Sequence, residues 1–231
     1  MAKVHPNASD PAPTEPEPPP SSSSSSPAPA TEELLSLTVW RKSLLFNCDG
    51  FTVFDAKGNL AFRVDCYGAS GRRRAEVVLM DVAGKPLLTL RRKKLSLADH
   101  WVIYDGDAAA EPSKARPLLS VRRHVSLRAS SKTVAHVTPH HASASAAEYV
   151  VEGSYGRRAC AVRDARGDAV VAEVRRKESV GDDVFRLVVA DPRRLGAPLA
   201  MGLVIALDEM FAAGRRGSSS ARSLLRRTWS V

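Results

Sequence analysis

The sequence predicts a mainly β fold in which a sheet wraps around one buried helix near the C-terminus. Three observations carry this. First, the stretch Pro198-Leu-Ala-Met-Gly-Leu-Val-Ile-Ala-Leu-Asp-Glu-Met-Phe211 has no polar side chain from Leu199 to Leu207. A helix that is apolar on every face has no side to offer to solvent, so protein must surround it. Second, most of the chain ahead of that stretch reads as short strands divided by turns. Third, one hairpin pattern, Asp-x-x-Gly between apolar runs, occurs three times, as in an antiparallel meander.

In chain order, residues 1–33 are rich in Pro, Ser, Ala and Glu and contain an unbroken serine run at 21–26. Such a segment cannot bury enough apolar surface to offset its chain entropy, so it is expected to be a disordered tail. Its Glu residues and lack of Arg are unlike a plastid transit peptide, and no signal peptide is expected. Deleting it is expected to leave the melting temperature of the remaining chain unchanged, which a thermal melt of the truncated protein checks.

The ordered domain is expected to span 34–213. Leu37-Thr-Val-Trp-Arg-Lys-Ser-Leu-Leu-Phe-Asn47 reads as one or two strands, rich in β-branched and aromatic residues. Phe51-Thr-Val-Phe54 follows. Leu60, Phe62, Val64 and Cys66 then alternate with Ala61, Arg63, Asp65 and Tyr67, the period of a half-buried strand. The turns Asp55-Ala-Lys-Gly58, Asp81-Val-Ala-Gly84 and Asp164-Ala-Arg-Gly167 begin with an Asp that can accept backbone N–H bonds and end on a Gly that tolerates positive φ. After them, Phe62, Leu88 and Val171 fall in equivalent places. In the third copy the alternation instead favours Val170, Ala172 and Val174, which leaves its phase open. Further strands are expected at 101–104, 118–121, 124–127, 149–152, 158–163 and 185–190. Residues 105–117 read as a polar loop and 138–147 as a low-complexity insertion.

The helix follows, with Pro198 in its first turn and Gly214 at its C-terminal cap. Leu199, Met201, Leu203, Val204, Ile205, Leu207 and Phe211 are its expected core residues. At ~1.5 Å per residue the run from Pro198 to Phe211 reaches about 21 Å, short of a ~30 Å hydrocarbon layer. Asp208 and Glu209 shorten the apolar run further, so no transmembrane span is expected. Residues 214–231 are expected to form a basic, disordered tail, in which Leu224, Leu225 and Trp229 occur among arginines in the sequence.

Cys48, Cys66 and Cys160 are an odd set without paired spacing and read as reduced, buried thiols of a cytosolic or nuclear protein. The net charge is +9 and unevenly spread. The N-terminal tail is acidic, and the body and the C-terminal tail are basic. A basic body favours anionic partners: phosphoinositide head groups, an anionic membrane or nucleic acid.

Four blocks are distinctive. They are Leu37-Thr-Val-Trp-Arg-Lys-Ser-Leu-Leu-Phe46, Gly50-Phe-Thr-Val-Phe-Asp-Ala-Lys-Gly-Asn-Leu-Ala-Phe-Arg-Val-Asp65, Leu79-Met-Asp-Val-Ala-Gly-Lys-Pro-Leu-Leu-Thr-Leu-Arg-Arg-Lys-Lys94 and the helix itself. Together they resemble the plant LURP-one-related family, from about Leu34 to Phe211. That family is similar to the tubby C-terminal domain and to phospholipid scramblases. The resemblance implies a closed antiparallel barrel of roughly twelve strands around the hydrophobic helix, an architecture without exposed edges. It implies no established activity, although some members are linked to defence against pathogens. The long N-terminal tail, the 138–147 insertion and the basic end after Gly214 depart from a compact member.

For chemistry the sequence offers little. It lacks Gly-x-Ser-x-Gly, Gly-x-Gly-x-x-Gly, His-Glu-x-x-His and phosphate-loop motifs. A non-enzymatic protein with no catalytic residue and no cofactor is therefore expected. His136, His140 and His141 flank Pro139 without a Cys or carboxylate at zinc spacing, so they read as a solvated loop and no metal is expected. The candidates for binding are the basic clusters 72–74, 91–94, 122–123, 157–158 and 175–177. Arg91, Arg92, Lys93 and Lys94 stand out because Leu90 and Leu95 flank them. On an extended strand Arg92 and Lys94 would share one face, and Arg91 and Lys93 the other. The expected function is binding of acidic phospholipid head groups or of a protein partner in stress or defence. The location is expected to be cytoplasmic, and membrane-peripheral or nuclear. A nucleic-acid-associated regulator using the same basic surface is the alternative.

Overall fold

Burial with a period of two runs along the chain and closes on itself. The computed structural model describes residues 34–45, 49–66, 75–108, 110, 113, 115–125, 131–140, 148–177 and 183–211. Both tails and residues 141–147 of the low-complexity stretch lie outside them. Among the described residues twelve strands occur: β1 (Leu35–Trp40), β2 (Asp49–Phe54), β3 (Leu60–Cys66), β4 (Glu76–Met80), β5 (Pro86–Arg92), β6 (His100–Asp105), β7 (Pro117–Arg123), β8 (Thr133–Pro139), β9 (Tyr149–Ser154), β10 (Ala159–Asp164), β11 (Val170–Arg176) and β12 (Val184–Val189). Each pairs antiparallel with the next, and β12 returns to β1, so the sheet is a closed barrel with no free edge. The inward positions carry Leu37 and Val39, Val77 and Leu79, Leu88 and Leu90, Trp101 and Ile103, and so on around the ring to Phe185 and Leu187. All are packed in one core with α1 (Ala197–Phe211), the one α-helix among the described residues.

The helix is buried along nearly its whole length, from Ala200 to Asp208 and again at Met210. Met201, Leu203, Val204, Ile205 and Leu207 are each no more than 1% exposed. Leu199 and Phe211, near its two ends, are half-buried and pack against the core from the barrel mouths. Gly202 would normally weaken a helix by ~1 kcal/mol relative to Ala. Here it permits close approach, because a Cβ at that position would lie 3.2 Å from Ile103 Cδ1 and 3.3 Å from Leu88 Cδ1. Among the described residues no helix is long and apolar enough to cross a membrane.

In all three Asp-x-x-Gly turns the Asp accepts backbone N–H groups, and in two of them the Gly takes positive φ. Asp55 Oδ1 accepts from the N–H groups of Lys57 and Asn59, both at 2.8 Å. Asp81 Oδ1 accepts from Lys85 N–H at 2.8 Å, and Asp164 Oδ1 from Arg166 N–H at 2.9 Å. Gly58 and Gly84 take φ of 86° and 87°, the left-handed values that glycine tolerates. The third turn is longer by one residue: its left-handed position is Asp168, at φ 52°, rather than Gly167. That insertion resolves the open phase. Val53 pairs with Phe62, Leu79 with Leu88 and Val162 with Ala172, so Ala172 is the true equivalent. Val171 occupies the bulge position that Ala61 and Leu87 hold in the other two hairpins.

Two strand expectations need correction. The first strand ends at Trp40, and 41–45 form a loop. His124 and Val125 lie outside any strand, while residues 126 and 127 are not described. The strand in that region is β8, whose inward side chains include the small Ala135. Its alternation of Ala135 and Val137 with His136 and Thr138 is too weakly apolar to read as a strand from sequence. Cys160 is buried, and burial pushes its thiol up to about 12, so it is inert as a nucleophile.

Candidate functional site

An antiparallel meander alternates the direction of its strands, so its connections divide strictly between the two barrel ends. The end at which α1 finishes carries the connections 41–48, 67–75, 93–99, 124–132, 155–158 and 177–183. The described basic clusters singled out in the sequence, 91–94, 122–123, 157–158 and 175–177, fall on this end, together with Arg41 and Lys42. Residues 72–74 lie outside the described residues. The three Asp-capped turns, by contrast, all fall on the opposite end. Clusters separated by more than a hundred residues in the chain thus become one basic rim.

Within that rim the four candidate residues behave differently. Strand β5 stops at Arg92, so the expected pairing of Arg92 with Lys94 on one strand face does not occur. Arg91 donates from Nε to Glu76 Oε2 at 2.6 Å and from Nη2 to the Ala108 carbonyl at 2.9 Å. Its guanidinium also sits 5.6 Å from the Tyr104 ring centroid. Arg92 donates to Asp99 Oδ1 at 2.6 Å. Both arginines are half-buried and brace the rim. Lys93 and Lys94 lie beyond the strand and are exposed. Leu95, expected to anchor the cluster to the sheet, is 96% exposed.

Beside them the 93–99 and 124–132 connections bound a groove of about 480 Å³, lined by Arg92, Ser96, Leu97, Ala98, Asp99, Arg123, His124 and Val125. Asp99 holds both arginines of the groove, with Arg123 Nη1 at 3.6 Å from its Oδ2. Arg123 also stacks 4.9 Å above the Phe211 ring, so the end of the core helix is tied to the rim. His100 and His136 favour the neutral imidazole. Burial, then Arg122, holds His100 below the ordinary imidazole range, and burial, then His124, does the same for His136. His136, expected in a solvated loop, lies on β8 with its Nε2 3.0 Å from His124 Nδ1. His140 follows β8 at the opposite barrel end, and His141 is not described.

Beneath the rim lies a charged cluster that the sequence did not reveal. Asp208 of α1 is 2% exposed. Arg41 Nε donates to both its carboxylate oxygens at 3.1 Å, Tyr155 donates its hydroxyl at 3.2 Å, and Arg158 Nη2 stands 3.8 Å away. Arg158 is itself buried, with its guanidinium 4.5 Å from the Tyr155 ring and 4.2 Å from that of Phe185. Burial works against the Arg41 charge, but Asp208 outweighs it and raises the guanidinium's pKa. Burial and the Asp208 charge also push Tyr155 well above the ordinary phenol range. The only signals in the sequence were an acidic residue closing an apolar helix and an Arg pair after Tyr155.

Comparison with known proteins places this architecture. The family model for LURP-one-related proteins matches residues 35–208. Protein LURP-one-related 8 of Arabidopsis thaliana is 45% identical over 185 residues, covering 76% of this chain and 86% of the relative. Protein LURP-one-related 5 of the same plant is 45% identical over 183 residues, covering 76% and 83%. A crystal structure of an Arabidopsis thaliana protein superposes with a TM-score of 0.52 at 26% identity, covering 76% of this chain and 90% of that one. The tubby-like barrel closed around a C-terminal helix and the matched span agree, and the chain belongs to the LURP-one-related family.

Proposed function

We propose that this protein is a non-enzymatic docking module that sets its basic barrel end on anionic phospholipid head groups, phosphoinositides among them, as a peripheral protein on the cytoplasmic side of a membrane. A role in stress or defence, expected from the family resemblance, is part of the same proposal. The observation that supports it is the gathering of sequence-distant cations at one end of the barrel, opposite the Asp-capped turns, where Lys57, Lys85 and Arg166 stand beside the aspartates. Cations on a rigid ring face a flat anionic surface together, and each near such a surface contributes about 1 kcal/mol.

The test compares two double variants that lose the same charge at opposite ends. Lys93→Ala with Lys94→Ala removes exposed cations from the basic rim, and Lys57→Ala with Lys85→Ala removes exposed cations from the Asp-capped turns. In co-sedimentation with phosphatidylcholine vesicles containing phosphatidylserine or a phosphoinositide, the first pair is expected to weaken binding roughly tenfold or more and the second hardly at all. The difference is expected to shrink as salt rises, since screening shortens to ~8 Å at physiological ionic strength. Equal losses for both pairs would remove the basic end from candidacy. Parallel titration with DNA and RNA tests the nucleic-acid alternative. Vesicle binding absent at every salt concentration would leave a protein partner as the better reading.

A further inference from the structure

The same barrel end carries a second feature that charge alone does not explain. Leu95 is 96% and Leu97 112% exposed, Val125 is 69% exposed, and Leu44 is 50% exposed. They stand on three of the connections that make up the basic rim. Exposed apolar residues scattered singly over a surface are ordinary, but these four share one end with Lys93, Lys94, Arg122 and Arg123. They are also held in place. The 93–99 connection is pinned at its base by the Arg92–Asp99 pair at 2.6 Å, and Arg123, just before Val125, leans on the same Asp99. Ser43 Oγ donates to the buried Asp65 at 2.7 Å and accepts the N–H of Leu45 at 3.0 Å, which fixes the 41–45 loop.

We infer that the barrel docks end-on and that Leu95 and Leu97, with Val125 on the neighbouring loop, enter the hydrocarbon of an anionic bilayer while Lys93, Lys94, Arg122 and Arg123 remain among the head groups. This deepens the docking function proposed above and rests on it. Charge complementarity selects the occupant, because the exposed apolar side chains share this end with Lys93, Lys94, Arg122 and Arg123. Their form points the same way. A protein partner buries a contiguous, close-packed patch with few charges at its centre. Separate side chains that project singly from loop tips between lysines and arginines match the layered chemistry of a bilayer surface, polar above and apolar below.

Two measurements separate insertion from head-group attraction. The first attaches an environment-sensitive fluorophore at Leu97→Cys, in a chain carrying Cys48→Ser and Cys66→Ser; the buried Cys160 stays unlabelled. Phosphatidylcholine–phosphatidylserine vesicles are expected to blue-shift the probe at position 97 and to leave a probe at Val82→Cys, on the opposite end, unchanged. The second is Leu95→Ser with Leu97→Ser, which removes no buried contact and is expected to melt with the wild type. Its vesicle affinity is expected to fall roughly tenfold or more, with the deficit persisting in 1 M salt, where screening shortens to about 3 Å and the apolar contribution dominates. Wild-type sedimentation with no spectral change at position 97, or with full affinity in the serine variant, overturns insertion and leaves head-group binding standing. Failure of the wild type to bind any vesicle overturns both.

Discussion

Replacing Asp208 by Ala is expected to lower the stability of the barrel by about 3–5 kcal/mol, a large part of the total for a domain of this size. Truncation removes one carboxylate and little volume, so most of the cost is electrostatic. Arg158 is 2% exposed and Arg41 is largely covered, and both direct charge at the Asp208 carboxylate. Without it, the buried Arg158 cation loses an anionic neighbour, and the faces of Tyr155 and Phe185 offset only part of that loss. Urea unfolding of the variant measures the loss. Because a buried pair can often be exchanged for well-packed apolar residues at little cost, Asp208→Leu combined with Arg158→Met is expected to recover much of the stability. An Asp208→Ala protein within 1 kcal/mol of wild type would show that the cluster does not hold the helix in the barrel.

One turn earlier on the same helix, the same carboxylate is expected to be intolerable. Ile205 is 1% exposed and packed within the apolar core, so Ile205→Asp buries a charge or forces a protonated acid into hydrocarbon, at a cost of several kcal/mol. The expected result is insoluble protein, or soluble protein whose melting temperature has fallen by many degrees. A soluble Ile205→Asp variant that melts with the wild type would contradict the central position of α1. The two substitutions together separate burial from partnership. Positions 205 and 208 are equally inaccessible, and only the second has cations within reach.

Local patterns in the chain were enough for much of the fold. Period-two alternation marked β3, the Asp-x-x-Gly turns marked three hairpins, and uninterrupted hydrophobicity marked α1. Each is a short-range signal, decided by which side a side chain faces or which φ a turn requires. The signal failed where the inward side chains were small, as at Ala135 in β8, and where a turn gained one residue, as at Asp168. It also overextended β1 past Trp40, because an apolar Leu-Leu-Phe run reads as a strand whether or not it has a partner.

For the candidate site, the sequence by itself determined that cations occur in clusters, that Arg91, Arg92, Lys93 and Lys94 form one of them, and that the terminal helix ends in acid. Only the tertiary structure decided what these do. Closing an even number of antiparallel strands sends alternate connections to opposite ends, which gathers the basic clusters on one rim and the Asp turns on the other. The strand limit at Arg92 splits the cluster into two bracing arginines and two exposed lysines. Arg41 meets Asp208 across 167 residues of chain, a contact that no local pattern encodes, because a charge's energy depends on which groups surround it after the chain has folded.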